Sequence, residues 1–247
     1  MSNAICYDSI IDIGLVKLRR GDIHIVNFGE SEKYELSGER LCVVLQNDYG
    51  NRYSNTTIVA VISDKIKDRS TRFDICINYD VDIDAQICLE KIRTISKSRI
   101  VTSTPLGNID IDSMRDKFIA TFGFDGVNSF YNKDMKYIRG GIYYVNLGEG
   151  EGSEQTGKRP CVVIQNDVGN WFSKTVIIAP ITSQNKRLPT HYLIENYNEV
   201  GLGKLSQICF EQVRTISKSR IMWDRPIGKL NVEDFKNELF KAFGLKS

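Results

Sequence analysis

The chain has 247 residues, with 33 Lys and Arg against 31 Asp and Glu, for a formal net charge of +2. That length suits two domains of about 120 residues better than one large one. The near-neutral balance excludes a bulk electrostatic argument for nucleic acid, so any RNA or DNA site must come from a local cluster. The six cysteines are Cys6, Cys42, Cys76, Cys88, Cys161 and Cys209, with no Cys-x-x-Cys pair among them. Four recur as equivalents inside apolar runs, Cys42 with Cys161 and Cys88 with Cys209, and are expected to be buried, reduced thiols. Nothing reads as a signal peptide or a long apolar span, which sets the expectation of a cytoplasmic protein without a membrane partner.

Residues 1–18 have no counterpart later in the chain and form an N-terminal extension; Ser9 to Val16 is too short and mixed to assign. The first strand is expected within Arg20-Gly21-Asp22-Ile23-His24-Ile25-Val26-Asn27, and its partner within Arg139-Gly140-Gly141-Ile142-Tyr143-Tyr144-Val145-Asn146. Next comes a hairpin. Gly-Ser-Glu-Gln-Thr-Gly-Lys-Arg-Pro (152–160) leads into the apolar run Cys161-Val162-Val163-Ile164. Asn166-Asp167-Val168-Gly169-Asn170 is expected to turn the chain, because Asn, Asp and Gly tolerate positive φ. Residues 176–180 return as a second buried strand ending at Ile181-Thr182. An antiparallel pair of this kind sets Arg159 beside Thr182, a fixed cation next to a hydroxyl. The earlier copy of the hairpin carries Arg40 and Ser63 at these positions. The chain is a tandem duplication.

Short strands follow at residues 71–77 and 190–194. The best-matched segments are residues 86–100 and 207–221, expected as two short strands around Ser-Lys-Ser. Each copy closes with a helix. Asp110 caps the first, Ile111, Met114, Phe118 and Phe122 form its apolar stripe, and Gly123 stops it. Asn231 caps the second, Val232, Phe235, Leu239 and Phe243 form its stripe, and Gly244 ends it. The domains are thus 19–123 and 138–247, joined by a linker at 124–137 that reaches about 45 Å at about 3.3 Å per residue. Five or six short strands and one helix per copy indicate a small, strongly bent antiparallel barrel, mainly β.

The ordered elements Arg139-Gly140, 152–160, Val163 to Asn170, Ala179 to Thr182, Pro189-Thr190-His191 and Glu211 to Ile216 resemble the MazF/PemK toxins. The likeness runs through each copy almost end to end. It implies an SH3-like barrel with a C-terminal helix in each. It implies a sequence-specific, metal-independent endoribonuclease of a type II toxin-antitoxin system, cutting single-stranded mRNA and neutralised by a cognate antitoxin. The family's catalytic arginine and threonine correspond to Arg159 and Thr182, and to Arg40 and Ser63 in the first copy. RNA contacts are expected from Glu154, Gln155, Thr156, Lys158, Asn166, Asn170, Trp171, His191, Gln212 and Arg214. The first copy departs from the pattern: Leu36 replaces Gln155, Leu41 replaces Pro160, Ser63 replaces Thr182, Ser70-Thr71-Arg72 replaces Pro189-Thr190-His191, and Lys91 replaces Gln212.

RNA carries its own nucleophile, the 2′-hydroxyl, so the enzyme must align it and stabilise charge on phosphorus. The donor fork of Arg159 matches phosphate oxygens, and Thr182 can hold one oxygen in register. His191 is a candidate base, since an imidazole exchanges protons near neutral pH. A positioning role suits it equally, and His24 is expected to be structural. Arg214 and Arg93 are expected to pair with Glu211 and Glu90. Trp171, Tyr49 and Tyr53 are placed in the hairpin turns, where they could stack on bases. No phosphate loop and no metal-ligand spacing is visible, so no cofactor and no metal is expected. The fused copies are expected to pair internally, as a monomer with pseudo-twofold symmetry and its helices near the junction. The alternatives are a catalytically reduced pseudoenzyme that binds RNA or antitoxin, and a topoisomerase poison. The latter would need an aromatic chain end, and residues 242–247 offer no terminal Trp.

Overall fold

The computed structural model describes residues 17–78, 82–126, 132–184 and 186–246. Cys6 and the stretch from Ser9 to Val16 lie outside them. The first copy contains β1 (Asp22–Asn27), β2 (Glu39–Val44), α1 (Asp48–Tyr53), β3 (Thr56–Ser63), β4 (Arg72–Asn78), β5 (Asp82–Ser96), β6 (Gly107–Asn108) and α2 (Arg115–Phe122). The second contains β7 (Gly141–Asn146), β8 (Lys158–Val163), α3 (Asp167–Phe172), β9 (Thr175–Thr182), β10 (His191–Ile194), β11 (Ser206–Cys209), β12 (Arg214–Ser217), β13 (Gly228–Lys229) and α4 (Lys236–Ala242). The protein is mainly β, as its short apolar runs dictate.

All described strands join one antiparallel sheet, whose main path runs β13-β7-β8-β9-β12-β5-β3-β2-β1-β6. Among the described residues that path is open, with β13 and β6 at its ends, and the expected closed barrel is not traced by the pairing. The centre of the path is the junction of the two copies. There Arg214 on β12 lies opposite Arg93 on β5, and the Thr94 N–H donates to the Val213 carbonyl at 2.9 Å.

Two local expectations are corrected. The Asn-Asp-x-Gly-Asn segments are not positive-φ turns but single helical turns, α1 and α3. The Asn47 and Asn166 side chains cap them by accepting from the Gly50 and Gly169 N–H at 2.7 Å, which leaves an ordinary helical backbone. A Cβ at 169 would lie 2.5 Å from the Gln165 amide nitrogen, so a larger residue there would displace that buried side chain. The second correction concerns Ser-Lys-Ser. Before it the first copy has one 15-residue strand, β5, with an irregular register against β3, and after it Ile100 makes only an isolated bridge to Val26, where a short strand was expected on each side. Lys97–Arg99 and Lys218–Arg220 are 3-10 turns.

The terminal helices form as their stripes require. Asp110 and Asn231 each accept from the N–H two residues on. A 3-10 turn then leads into α2 and α4, and Gly123 and Gly244 adopt φ of +70° and +67° beyond their ends. All eight stripe residues are buried. They pack across the copies as well as within them, with the Phe118 and Phe243 ring centroids 4.9 Å apart across the junction and those of Phe210 and Phe235 5.4 Å apart within the second copy. The backbone N–H of Asn47 donates to the Ala242 carbonyl at the end of α4, and that of Asn166 to the Thr121 carbonyl at the end of α2, both at 3.0 Å. Each helix therefore ends against the short helix of the other copy. Phe124, at the start of the linker, stacks edge-on against Phe240 at 5.5 Å.

Charged contacts across the junction are reciprocal. Glu154 of the second copy accepts from the Ser96 N–H at 2.9 Å and from Arg99 Nε at 2.5 Å in the first. Glu35 of the first copy accepts from the Ser217 N–H at 2.8 Å and from Arg220 Nε at 2.5 Å in the second. Both carboxylates have side chains only 2 % exposed. Removing either takes the main partner from a half-buried arginine, although Arg99 also has Glu151 at 3.5 Å, and such losses cost about 3–5 kcal/mol.

Candidate active site

Arg159 lies near the start of β8 and Thr182 at the end of its neighbour β9. Cys161 lies opposite Pro180 on β8 and β9. The pairing stops there, two residues short of Arg159 and Thr182, and in the first copy it stops at Cys42 and Val61, two residues short of Arg40 and Ser63. Backbone geometry is thus shared by the two copies. Thr182 Oγ1 accepts from the Gln184 N–H and Ser63 Oγ from the Lys65 N–H, each at 3.2 Å.

The arginines are held differently. Arg159 is half-buried. Its Nε and Nη2 donate to the Thr156 carbonyl at 2.9 and 2.5 Å, and its Nη1 donates to Gln155 Oε1. The loop carrying Gln155 is itself pinned, its N–H donating to Gln212 Oε1 at 3.3 Å. Arg40 is exposed and donates to its own neighbour's carbonyl, Glu39, at 2.8 Å. Leu36, at the position of Gln155, packs against the apolar cluster of its own copy and offers no acceptor.

Two clefts lie where the copies meet. One, of about 590 Å³, sets Gln155, Thr182, His191 and Gln212 of the second copy against Tyr49 and Tyr53 of the first. Its counterpart, of about 690 Å³, sets Leu36, Arg72 and Lys91 of the first copy against Val168 and Phe172 of the second. Tyr49 and Tyr53 are exposed, with ring centroids 4.7 Å apart. They belong to the short helix α1, not to a turn. Trp171 is exposed on α3.

His191 lies on the floor of its cleft, its side chain 3 % exposed and its Nε2 2.8 Å from Glu211 Oε1. Thr190 Oγ1 donates to the other oxygen of Glu211 at 2.9 Å. In the first copy Arg72 takes the histidine's place and donates from Nε to Glu90 Oε1 at 2.9 Å. Glu211 and Glu90 are thereby engaged by His191 and Arg72, which corrects the expected pairing with Arg214 and Arg93. Arg93 lies instead 3.6 Å from Glu154. Burial pushes Arg214 down to about 10, with the like charge of Arg93 adding to it.

The remaining expected contact residues divide by exposure. Thr156 is half-buried and Lys158 exposed, both near Arg159. Glu154, Asn166, Asn170 and Arg214 are buried. Asn166 caps α3, and Asn170 Nδ2 donates to the Gln165 carbonyl at 2.9 Å. His24 is buried, with Nδ1 2.9 Å from Thr102 Oγ1, and burial lowers its pKa. Cys42, Cys88, Cys161 and Cys209 are buried as expected, whereas Cys76 is exposed. Burial pushes the Cys161 thiol up to about 12 and the Cys88 thiol to about 11, so neither is poised as a nucleophile. No metal-ligand spacing is visible along the chain, but pairing of β10 with β11 brings His191, Cys209 and Glu211 together. Cross-strand partners separated along the chain leave no spacing signature to read.

Among the described residues, no helix is long and apolar enough to cross a membrane. Comparison with known proteins gives a consistent result. Endoribonuclease EndoA of Bacillus subtilis (strain 168) is 48% identical over 85 residues, covering 34% of this chain and 72% of that protein. Endoribonuclease MazF of Staphylococcus saprophyticus is 49% identical over 85 residues, covering 34% and 70%. A solved structure described as an endoribonuclease in complex with its cognate antitoxin, from Mycobacterial species, is 18% identical, covers 44% of this chain and 97% of its own, and superposes with a TM-score of 0.37. A family model described as "PemK-like, MazF-like toxin of type II toxin-antitoxin system" matches twice, at residues 19–116 and 138–238. Two matches in tandem span most of the chain, and the chain belongs to this PemK-like, MazF-like toxin family.

Proposed function

We propose that the protein is an endoribonuclease toxin that cleaves single-stranded mRNA at short specific sequences, in the cytoplasm, without a metal ion in the reaction. The observation that carries this reading is the hold on Arg159 by Gln155 and the Thr156 carbonyl, next to a cleft that Gln155 and Thr182 line. The 2′-oxygen of the RNA attacks the adjacent phosphorus and the P–O5′ bond breaks. The 2′-hydroxyl proton leaves to water, and the departing 5′-oxygen takes a proton from water. The products are a 2′,3′-cyclic phosphate and a 5′-hydroxyl. Arg159 stabilises the charge on the phosphoryl oxygens, where preorganised donors are worth most. Thr182 fixes one oxygen by a hydrogen bond. His191 bonds to Glu211 and is assigned positioning rather than proton transfer.

Gln155, Thr156, Lys158 and Gln212 are assigned RNA contacts around this cleft, and Trp171 a contact outside it. Glu154, Asn166, Asn170 and Arg214 are assigned support of the backbone that carries them. Each copy, 19–123 and 138–247, is read as one MazF-like unit of the SH3-like type. The two act as an internal pseudo-dimer in a monomeric chain, and a cognate antitoxin binds at their surface. The reciprocal Glu154–Arg99 and Glu35–Arg220 pairs support that arrangement. Light scattering at micromolar concentration tests it: a stable two-chain species would contradict the monomer.

The first cleft is read as a binding surface. Lys67, Arg69, Lys91 and Lys174 line it, which suits phosphate without the cradle for chemistry. Incubation of the purified protein with single-stranded RNA in EDTA tests the activity. Discrete cuts bearing cyclic-phosphate ends are expected. Binding without cuts would leave the pseudoenzyme reading in its place.

A further inference from the structure

We propose that the second copy carries a binding site for a borderline-soft divalent cation, zinc being the natural one, formed by His191, Cys209 and Glu211. His191 and Cys209 are direct cross-strand partners on β10 and β11, so their side chains share a face. Glu211 follows two residues after Cys209, and its carboxylate already lies 2.8 Å from His191 Nε2. One ligand atom from each of the three lies within 4.8 Å of the others. A tetrahedral zinc ion with bonds of about 2.0–2.3 Å needs its ligand atoms roughly 3.3–3.8 Å apart. Side-chain adjustments of about 1 Å therefore close the set. Nitrogen, sulfur and oxygen donors in that number are the chemistry of an open zinc site, with the fourth position facing solvent in the cleft that all three residues line.

Two further observations point to a cation. The first is orientation. Thr190 Oγ1 holds the second Glu211 oxygen at 2.9 Å, the kind of outer hydrogen bond that fixes a ligating carboxylate. The second is the other copy, which has already solved the same problem. There Cys88 and Glu90 occupy the matching positions, and the guanidinium of Arg72, the cross-strand partner of Cys88, lies 2.8 Å from Glu90. A permanent cation of the protein fills the place beside that carboxylate. In the second copy the place is left to histidine, whose ring nitrogen can ligate a metal. Binding displaces the Cys209 thiol proton to solvent as the metal–sulfur bond forms.

Cobalt(II) titration of the full chain, followed by absorption and by stoichiometry, tests the site without reference to RNA cleavage. One cobalt per chain with a thiolate-to-cobalt charge-transfer band is expected, displaceable by zinc. Cys209→Ala should abolish the band and weaken binding at least tenfold, while Cys88→Ala should leave both unchanged. His191→Gln, with folding verified by circular dichroism, should show the same loss should Cys209→Ala fail to fold. Arg72→His should raise the stoichiometry to two. A wild-type chain without the band, or a band that survives in Cys209→Ala, overturns the site. A stoichiometry that stays at one in Arg72→His overturns the part assigned to the guanidinium.

Discussion

The two clefts are built on the same backbone and differ in what their side chains hold. At the second, Gln155 and the Thr156 carbonyl grip Arg159, and Gln212 grips the loop that carries Gln155. At the first, Leu36 turns toward its own core and Arg40 donates to the Glu39 carbonyl. Strand register, short helices and junction clamps are kept in both. Fusion explains why divergence takes this form. In a dimer of identical chains one substitution changes both sites, whereas here each site can change alone. What both copies must keep is the surface by which they meet, since each half buries the other's helix end and loop carboxylate.

The largest expected effect falls on that shared surface. Glu154→Ala and Glu35→Ala should each destabilise the chain by about 3–5 kcal/mol, because each takes a buried carboxylate away from a half-buried arginine. Urea unfolding measures it, and a large difference between the two would break the equivalence of the clamps. Glu154 adds a pH signature. Burial works to raise its pKa, but the bonds from Arg99 and the Ser96 N–H, with the charges of Arg93 and Arg99, hold it below the ordinary value. The stability it contributes is complete above the unfolded value of about 4.3 and is lost as pH falls through the folded one. Glu154→Gln should flatten that part of the acid unfolding curve.

Next comes the cradle. Gln155→Leu copies the first site's residue into the second and should lower cleavage about 10- to 100-fold, or ~1.4–2.7 kcal/mol, by loosening Arg159. The reverse change, Leu36→Gln, sharpens the comparison, since any added cleavage at the first cleft would show that the cradle alone was missing there. The smallest effect belongs to the basic lining of the first cleft. Lys91→Gln should weaken RNA binding a few-fold and lower the salt dependence of binding by about one counterion, with little change in single-turnover rate.

Much of this was legible in the residues. The repeated Arg-then-apolar runs gave the hairpins that pair β2 with β3 and β8 with β9. The Ile111, Met114, Phe118 and Phe122 stripe and its Asp110 cap gave the helix. Local chemistry read wrongly where two solutions compete. Asn-Asp-x-Gly-Asn suits a positive-φ turn, but Asn47 and Asn166 serve as helix caps, and capping a helical turn satisfies more backbone N–H groups. Contacts between the copies were out of reach, because nothing in the stripe of α2 says that Phe118 meets Phe243 rather than a residue of its own half. The same holds for Glu90 and Glu211, whose partners depend on the strand added beside them.

The most direct test of the account is single-turnover cleavage of one RNA substrate in EDTA by Arg159→Ala and Arg40→Ala, measured side by side. Loss of a preorganised charge at phosphorus should slow Arg159→Ala by about 10²–10³-fold. Arg40→Ala should stay within a few-fold of the parent chain, both variants remaining folded by circular dichroism. Equal losses in the two variants, or near-normal cleavage by Arg159→Ala, would contradict it.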